Sequence, residues 1–261
     1  MSQNLNIQNH IRKHYSKIAK ANQECCCNNS CCSPESKNQS QSSEDIGYTI
    51  KEIDTVPETA NMGLGCGNPH TIADLKPGET VIDLGCGAGL DCFLAAKKVG
   101  KTGKVIGIDM TAEMINKARE NAIKGKFSQV EFKLGKIESL PLNDNYADVI
   151  LSNCVINLSP DKPRTFNEAY RVLRPGGRIA ISDIVSVVDL PLEIKNNHDA
   201  LCGCIAGAAE ISDLETLISQ SGFQKIVIKV KKNSQTFIKD WFPDRGYEQY
   251  VRSAIIHAVK N

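Results

Sequence analysis

Thr80-Val81-Ile82-Asp83-Leu84-Gly85-Cys86-Gly87-Ala88-Gly89 decides the fold of this 261-residue chain. An apolar strand pattern ends in an acid and runs into three alternate glycines, and a helical pattern over residues 89–99 follows. Glycine is needed in such a turn for its tightness and so that a ligand can approach the backbone; the helix start offers free N–H groups. A dinucleotide fingerprint would put its third glycine at position 90, which is Leu90. Outward from the loop the alternation continues. Strand patterns at 104–109, 130–134, 147–152 and 178–184 interleave with helix patterns at 112–124 and 163–173, the last stopped by Pro175-Gly176-Gly177. This rhythm predicts an α/β chain built on a doubly wound, Rossmann-like parallel sheet. Residues 225–230 and 253–259 read as closing strands.

Composition bounds the function. With 31 basic and 30 acidic residues the net charge is +1, against the basic excess of a nucleic-acid binder. No apolar run approaches the roughly 18 residues that span a bilayer, and the first twenty residues lack a signal-peptide core. The expectation is a cytoplasmic monomer with no nucleic-acid or membrane partner.

The chain divides into an N-terminal helix and Cys-rich arm (1–45), a Rossmann-like domain (46–186), a small-residue lid insertion (187–222) and closing strands (223–261). Ile11, Tyr15 and Ile18 form an apolar stripe on the first helix. Residues 19–45 hold no Val, Ile, Leu, Met or aromatic residue, yet carry Cys25, Cys26, Cys27, Cys31 and Cys32. Such a stretch cannot bury enough apolar area to offset its ordering entropy, which predicts a mobile arm.

Eleven cysteines in a chain without an export signal point to burial, ligation or redox chemistry more than to a disulfide frame. Cys86, within the Gly loop, and Cys92, beside Phe93 and Leu94, read as small buried hydrophobes. Cys154 lies just past the fourth strand, and in a doubly wound sheet the first and fourth strands flank the ligand crevice. A thiol there suits a soft acceptor, or an acceptor held by sulfur. Cys66 sits in the turn-rich Gly63-Leu64-Gly65-Cys66-Gly67-Asn68-Pro69. Cys202-Gly203-Cys204 could be half of a zinc site, although zinc favours four ligands and the five histidines are scattered, with only His198 nearby.

The Gly loop with its preceding acid resembles the first motif of class I S-adenosylmethionine-dependent methyltransferases. Asp109, 26 residues after Asp83, is placed to accept hydrogen bonds from ribose hydroxyls. Three further stretches, Gly65-Cys66-Gly67-Asn68-Pro69, residues 152–158 and Cys204-Ile205-Ala206-Gly207-Ala208, together with Asp240-Trp241-Phe242-Pro243, resemble arsenite S-adenosylmethionine methyltransferases. That family's lid motif reads Gly-Glu-Cys-x-Gly-Gly-Ala. Here Cys202-Gly203 precede Cys204, so Cys204 aligns as the lid ligand and Cys202 stays an alternative.

The resemblance implies S-adenosylmethionine bound by Asp83, Gly85, Gly87, Asp109, Met110, Ile137, Glu138 and Asn153. It implies trivalent arsenic, as arsenite or methylarsenite, held by Cys66, Cys154 and Cys204 with its lone pair aimed at the sulfonium methyl. Thiol pKa values should fall in such a site. Cys31 and Cys32 become the candidate redox relay, recharged by a thiol reductant such as thioredoxin or glutathione. Two rivals stand beside this reading: a methyltransferase of an organic small molecule, and a non-catalytic metalloid- or zinc-binding protein.

Overall fold

A computed structural model describes residues 2–21 and 39–261. Cys25, Cys26, Cys27, Cys31 and Cys32 lie outside the described residues, so the arm and its relay are not addressed by the fold. The strands are β1 (Thr80–Leu84), β2 (Lys104–Asp109), β3 (Val130–Leu134), β4 (Ala147–Asn153), β5 (Leu173–Ser186), β6 (Ala209–Glu210), β7 (Gln224–Val230) and β8 (Val251–Val259). They form one sheet in the order β3-β2-β1-β4-β5-β8-β7, with β6 paired to β5. Pairing is parallel from β3 to β5 and antiparallel at β8, so the closing strands, joined through a segment that holds the helix Gln235–Trp241, form an antiparallel pair against the parallel half.

The helices are α1 (Ser2–Ala21), α2 (Gln39–Ile46), α3 (Ile50–Ile53), α4 (His70–Ala73), α5 (Leu90–Val99), α6 (Ala112–Gly125), α7 (Lys162–Val172), α8 (Leu192–Lys195), α9 (His198–Cys202), α10 (Ile211–Gln220) and α11 (Gln235–Trp241). Among the described residues none is long and apolar enough to cross a membrane.

Side chains of the central strands alternate between two cores, as a parallel sheet covered on both faces requires. Val81, Val105 and Val149 are paired neighbours facing one core with Phe93 of α5. Ile82, Ile106 and Ile150, one residue on, face the other with Phe166 of α7. From β1 the chain winds outward through β2 and β3, then returns to β4 on the other side. The carboxyl ends of β1 and β4 therefore open a crevice at the switch point.

One element differs from the sequence reading. Pro175-Gly176-Gly177 ends the helix but does not delay the strand: β5 starts at Leu173 and carries these residues as a bulge, between Ala147 opposite Leu173 and Val149 opposite Arg178. The stretch expected as a lid insertion contains α8, α9, β6 and α10, of which α10 packs against α7 and β7 in the helical layer.

Candidate active site

Three glycines shape the loop after β1. Gly85, Gly87 and Gly89 all take left-handed φ values, 70°, 51° and 100°. A Cβ on Gly85 would stand 2.5 Å from Val155, whereas at Gly87 it would meet nothing within 4 Å, because that face opens on the crevice. Asp109 completes the cradle: Oδ2 accepts from Gly87 N at 3.1 Å and Oδ1 from Thr111 N at 2.8 Å. Burial pushes this carboxyl's pKa up, while the backbone donors pull it back. Met110, Ile137, Glu138, Asn153 and Cys154 line the same cleft, with Gln8 and Tyr15 of α1 across its mouth. Glu138 is fixed by Ser159 Oγ, which donates to Oε1 at 2.6 Å.

A second lobe, joined to the first through Gly85, Gly87, Leu64 and Asn153, is lined by Tyr48, Asp83 and Asp91. Asp83 and Asp91 are both buried, and burial followed by the neighbouring Asp91 charge drives the Asp83 pKa well up. Tyr48 donates to Asp91 Oδ1 at 2.6 Å, and His70 Nε2 stands 3.1 Å from that oxygen, out of line for a hydrogen bond. Two buried acids at one end and a ribose-spaced acid at the other fit an adenosyl ligand whose far end carries an ammonium group. Tyr48 and Asp91 escaped the sequence reading. Asp91 had a local signal, an acid in the first turn after the glycine loop, but nothing near Tyr48 marks it.

Asn153 joins this cradle to the thiols. Its Nδ2 donates to Gly67 O at 2.8 Å and Tyr48 Oη at 2.9 Å, while Oδ1 accepts from Cys66 N at 3.0 Å. The Cys66 and Cys154 sulfurs and an Asp183 oxygen all lie within 4.8 Å of one another. Cys204 Sγ donates to the Cys154 carbonyl at 2.7 Å. Cys66, from the loop before β1, thus lies beside Cys154 after β4, which lines the cleft, and Cys204 after α9 contacts Cys154 without joining the Cys66–Cys154–Asp183 group. Cys202 and Cys204 are both buried and neither belongs to that group.

Cys86 and Cys92 are buried as expected, with the added feature that Cys92 Sγ donates to Asp83 Oδ2 at 3.2 Å.

The thiol pKa values run opposite to expectation. Burial pushes Cys66 up to about 11 and Cys154 well above the ordinary thiol range. Cys204 is raised first by its contact with the Cys154 thiol and then by burial. Burial and the nearby Asp183 carboxylate disfavour thiolates, so these groups hold their protons at neutral pH.

Asp183 serves as an anchor. Oδ2 accepts from Ile156 N at 2.9 Å and Asn157 N at 3.4 Å; Oδ1 accepts from Ile184 N at 2.8 Å and Asn157 Nδ2 at 3.0 Å. Both oxygens are occupied, and burial lifts the carboxyl pKa to about 6. The anchor sits in a break along β5. Pairing with β4 ends at Ser182 opposite Asn153, and pairing with β6 begins at Val185 opposite Ala209. Asn157 fills the break, donating from Nδ2 to Ile184 O at 2.6 Å and to Cys204 O at 3.1 Å. A side-chain amide thus replaces a missing rung and ties the two cysteine loops together.

Cys154 and Cys204 themselves adopt left-handed φ values of 59° and 62°. Ile205 N donates to Ala200 O at 2.8 Å and Cys204 N to Leu201 O at 2.9 Å, a Schellman end to α9 with Cys204 where glycine is usual.

Strand order, the glycine-turned loop after β1 and the acid closing β2 define a class I methyltransferase, and the family model described as "Methyltransferase domain" matches residues 75–232. The arsenite methyltransferase of Halobacterium salinarum is 47% identical over 258 residues, covering 96% of this chain and 66% of its own length. The human arsenite methyltransferase is 38% identical over 176 residues, or 64% of this chain and 46% of its own. A solved arsenic(III) S-adenosylmethionine methyltransferase of Chlamydomonas reinhardtii superposes with a TM-score of 0.63 at 30% identity, covering 86% of this chain and 74% of that one. The chain belongs to the arsenic(III) S-adenosylmethionine methyltransferase family. It spans about half to two thirds of the length of these curated relatives.

Proposed function

We propose that this chain transfers a methyl group from S-adenosylmethionine to trivalent arsenic held by Cys66, Cys154 and Cys204, a detoxifying methylation of arsenite and methylarsenite. The carrying observation is that Cys154, on the wall of the cleft that also holds Asp109 and the glycine loop, has the Cys66 sulfur within 4.8 Å and Cys204 in contact with its carbonyl, each from a separate loop. When bound, the cofactor supplies an electrophilic methyl on a sulfonium. Asp109 would receive the ribose hydroxyls, Met110 and Ile137 the adenine faces, with Glu138 at its edge. Asp83 and Asp91 would take the ammonium group, with Gly85, Gly87 and Asn153 shaping the path between.

The raised thiol pKa values suit this substrate. Arsenous acid has three hydroxides; each thiol proton leaves with one of them as water, three As–S bonds form, and no external base is needed. The trigonal arsenic keeps its lone pair, which makes the As–C bond as the S–C bond of the donor breaks. The protein's share is alignment, an effect worth about 7–11 kcal/mol in well-oriented systems. The methylated arsenic is then a cation. A thiolate attacks one ligating sulfur, an S–S bond forms, the As–S pair stays on arsenic and the metalloid is trivalent again. Cys31 and Cys32 are candidates for that thiolate, and a thioredoxin- or glutathione-type reductant would reopen the disulfide. This chemistry needs a reducing compartment such as the cytoplasm, and the site needs one protomer only.

The test is incubation of the purified chain with arsenite, S-adenosylmethionine and a thiol reductant, followed by arsenic speciation. Methylated arsenicals are expected from the wild type and their loss from Cys154→Ser. Undiminished product in the variant would refute the assignment.

A further inference from the structure

Helix α1 lies outside the matched methyltransferase domain, yet two of its residues, Gln8 and Tyr15, line the crevice. At the adenine end, Gln8 bridges two loop residues: Lys136 Nζ donates to its Oε1 at 2.7 Å, and its Nε2 donates to Glu138 Oε1 at 3.3 Å. Ile11 and Ala19 of the helix are buried, and Lys20 pairs with Glu113 of α6 at 3.2 Å. At the other end the Tyr15 hydroxyl donates to the Cys202 carbonyl at 2.9 Å, two residues before the ligand position Cys204. The Tyr15 ring lines the cleft together with Asp109 and Cys154. Burial raises its phenol pKa, and Cys204, Cys154, Cys202 and Asp109 act on it in the same direction. One side chain therefore touches the cofactor cleft with its ring and the thiol turn with its hydroxyl.

We infer that Tyr15 is a positioning residue that couples the two halves of the reaction: its ring closes the cofactor cleft between Asp109 and Cys154, and its hydroxyl fixes the turn that presents Cys204. This inference rests on the proposed methyl transfer. A filled cleft holds the ring in place; a fixed ring holds the Cys202 carbonyl; and the Schellman turn passes that constraint to Cys204. Cofactor occupancy and arsenic affinity are then linked, and by reciprocity each ligand tightens the other by the same factor. The hydroxyl carries the link and the ring carries the closure, so the two contributions separate by substitution.

The experiment measures arsenite affinity of the full chain by equilibrium dialysis, with and without saturating S-adenosylhomocysteine, beside KM for S-adenosylmethionine and kcat. In the wild type the product analogue should tighten arsenite binding. Tyr15→Phe keeps the ring, so KM for the donor should hold while the tightening shrinks about threefold to tenfold, the loss of one hydrogen bond, and kcat falls with it. Tyr15→Ala should raise KM as well. Equal tightening in wild type and Tyr15→Phe overturns the inference, as does no tightening in the wild type, or a Tyr15→Phe change that raises KM in step with the fall in kcat. A wild type that binds S-adenosylhomocysteine but forms no methylated arsenic refutes the proposed function instead.

Discussion

Gly207→Ala should remove most of the activity while sparing the fold. A Cβ at Gly207 would lie 3.0 Å from the Asn157 carbonyl carbon and nearer still to its oxygen. Neither side can yield cheaply. The obstruction is backbone, and Asn157 is tied to Asp183, Ile184 and Cys204. The 204–208 turn must therefore retreat, and Cys204 goes with it, away from the Cys154 carbonyl 2.7 Å from its sulfur. A displacement of about 1 Å in a reacting group can cost on the order of 100-fold in rate. The expected outcome is a fall of about that size in kcat/KM for arsenite methylation, with S-adenosylhomocysteine affinity within about twofold of wild type, because Gly207 is outside both lobes of the cofactor cleft. Initial rates by arsenic speciation and a calorimetric titration of the cofactor analogue read the two quantities. Arsenite kcat/KM within threefold of wild type would refute the reasoning, since the two loops would then have been free to part without consequence.

Two further outcomes follow from the same geometry. Asn157→Ala deletes the amide that fills the break in β5 and leaves buried carbonyls without donors, at a cost of about 2–4 kcal/mol; scanning calorimetry should show a melting point roughly 5–15 °C lower, and an unchanged one would mean that water replaces the amide. Alkaline pH tests the buried thiols: Cys66 and Cys86 are pushed by burial from 9.0 to about 11, so the unfolded chain releases these protons first. Stability from this source is intact below pH 9 and is lost as pH rises toward 11, by at most about 3 kcal/mol for each thiol. Urea unfolding across pH 8–11 should show this decline, and Cys86→Ala should soften it; identical slopes in both proteins would count against the buried-thiol account.

Much of this architecture was readable from residue order alone, for definite reasons. The strands β1, β2 and β4 are short and covered on both faces, so they appear as apolar runs rich in β-branched residues, the edge strand β3 alternates, and the glycine loop and Asp109 stand at fixed places relative to them. Cys154 could be placed on the crevice for the same reason: β4 belongs to the switch point. Cys66 and Cys204 could not be placed by rhythm, because their loops carry no periodicity and only a resemblance brought them together. The direction of the thiol pKa shift was misjudged for want of burial, which no motif reports. Pro175-Gly176-Gly177 misled in a milder way, since a helix stop and a strand bulge use the same residues. Tyr48, Asp91 and Tyr15 act through contacts across 43 to 187 positions of sequence, a separation at which local pattern carries no information.

The left-handed backbone at Cys154 and Cys204 has an evolutionary corollary. At both places glycine would relax the main chain, and a residue with a side chain costs about 1–2 kcal/mol there. Main-chain strain alone would thus favour glycine at both places, while the packing of the two buried side chains and, on the proposed function, the metalloid they hold oppose it. On the proposed function, a descendant freed from arsenic exposure should lose the thiols at 154 and 204 before that of Cys66, whose φ is not left-handed and whose main chain carries no such strain.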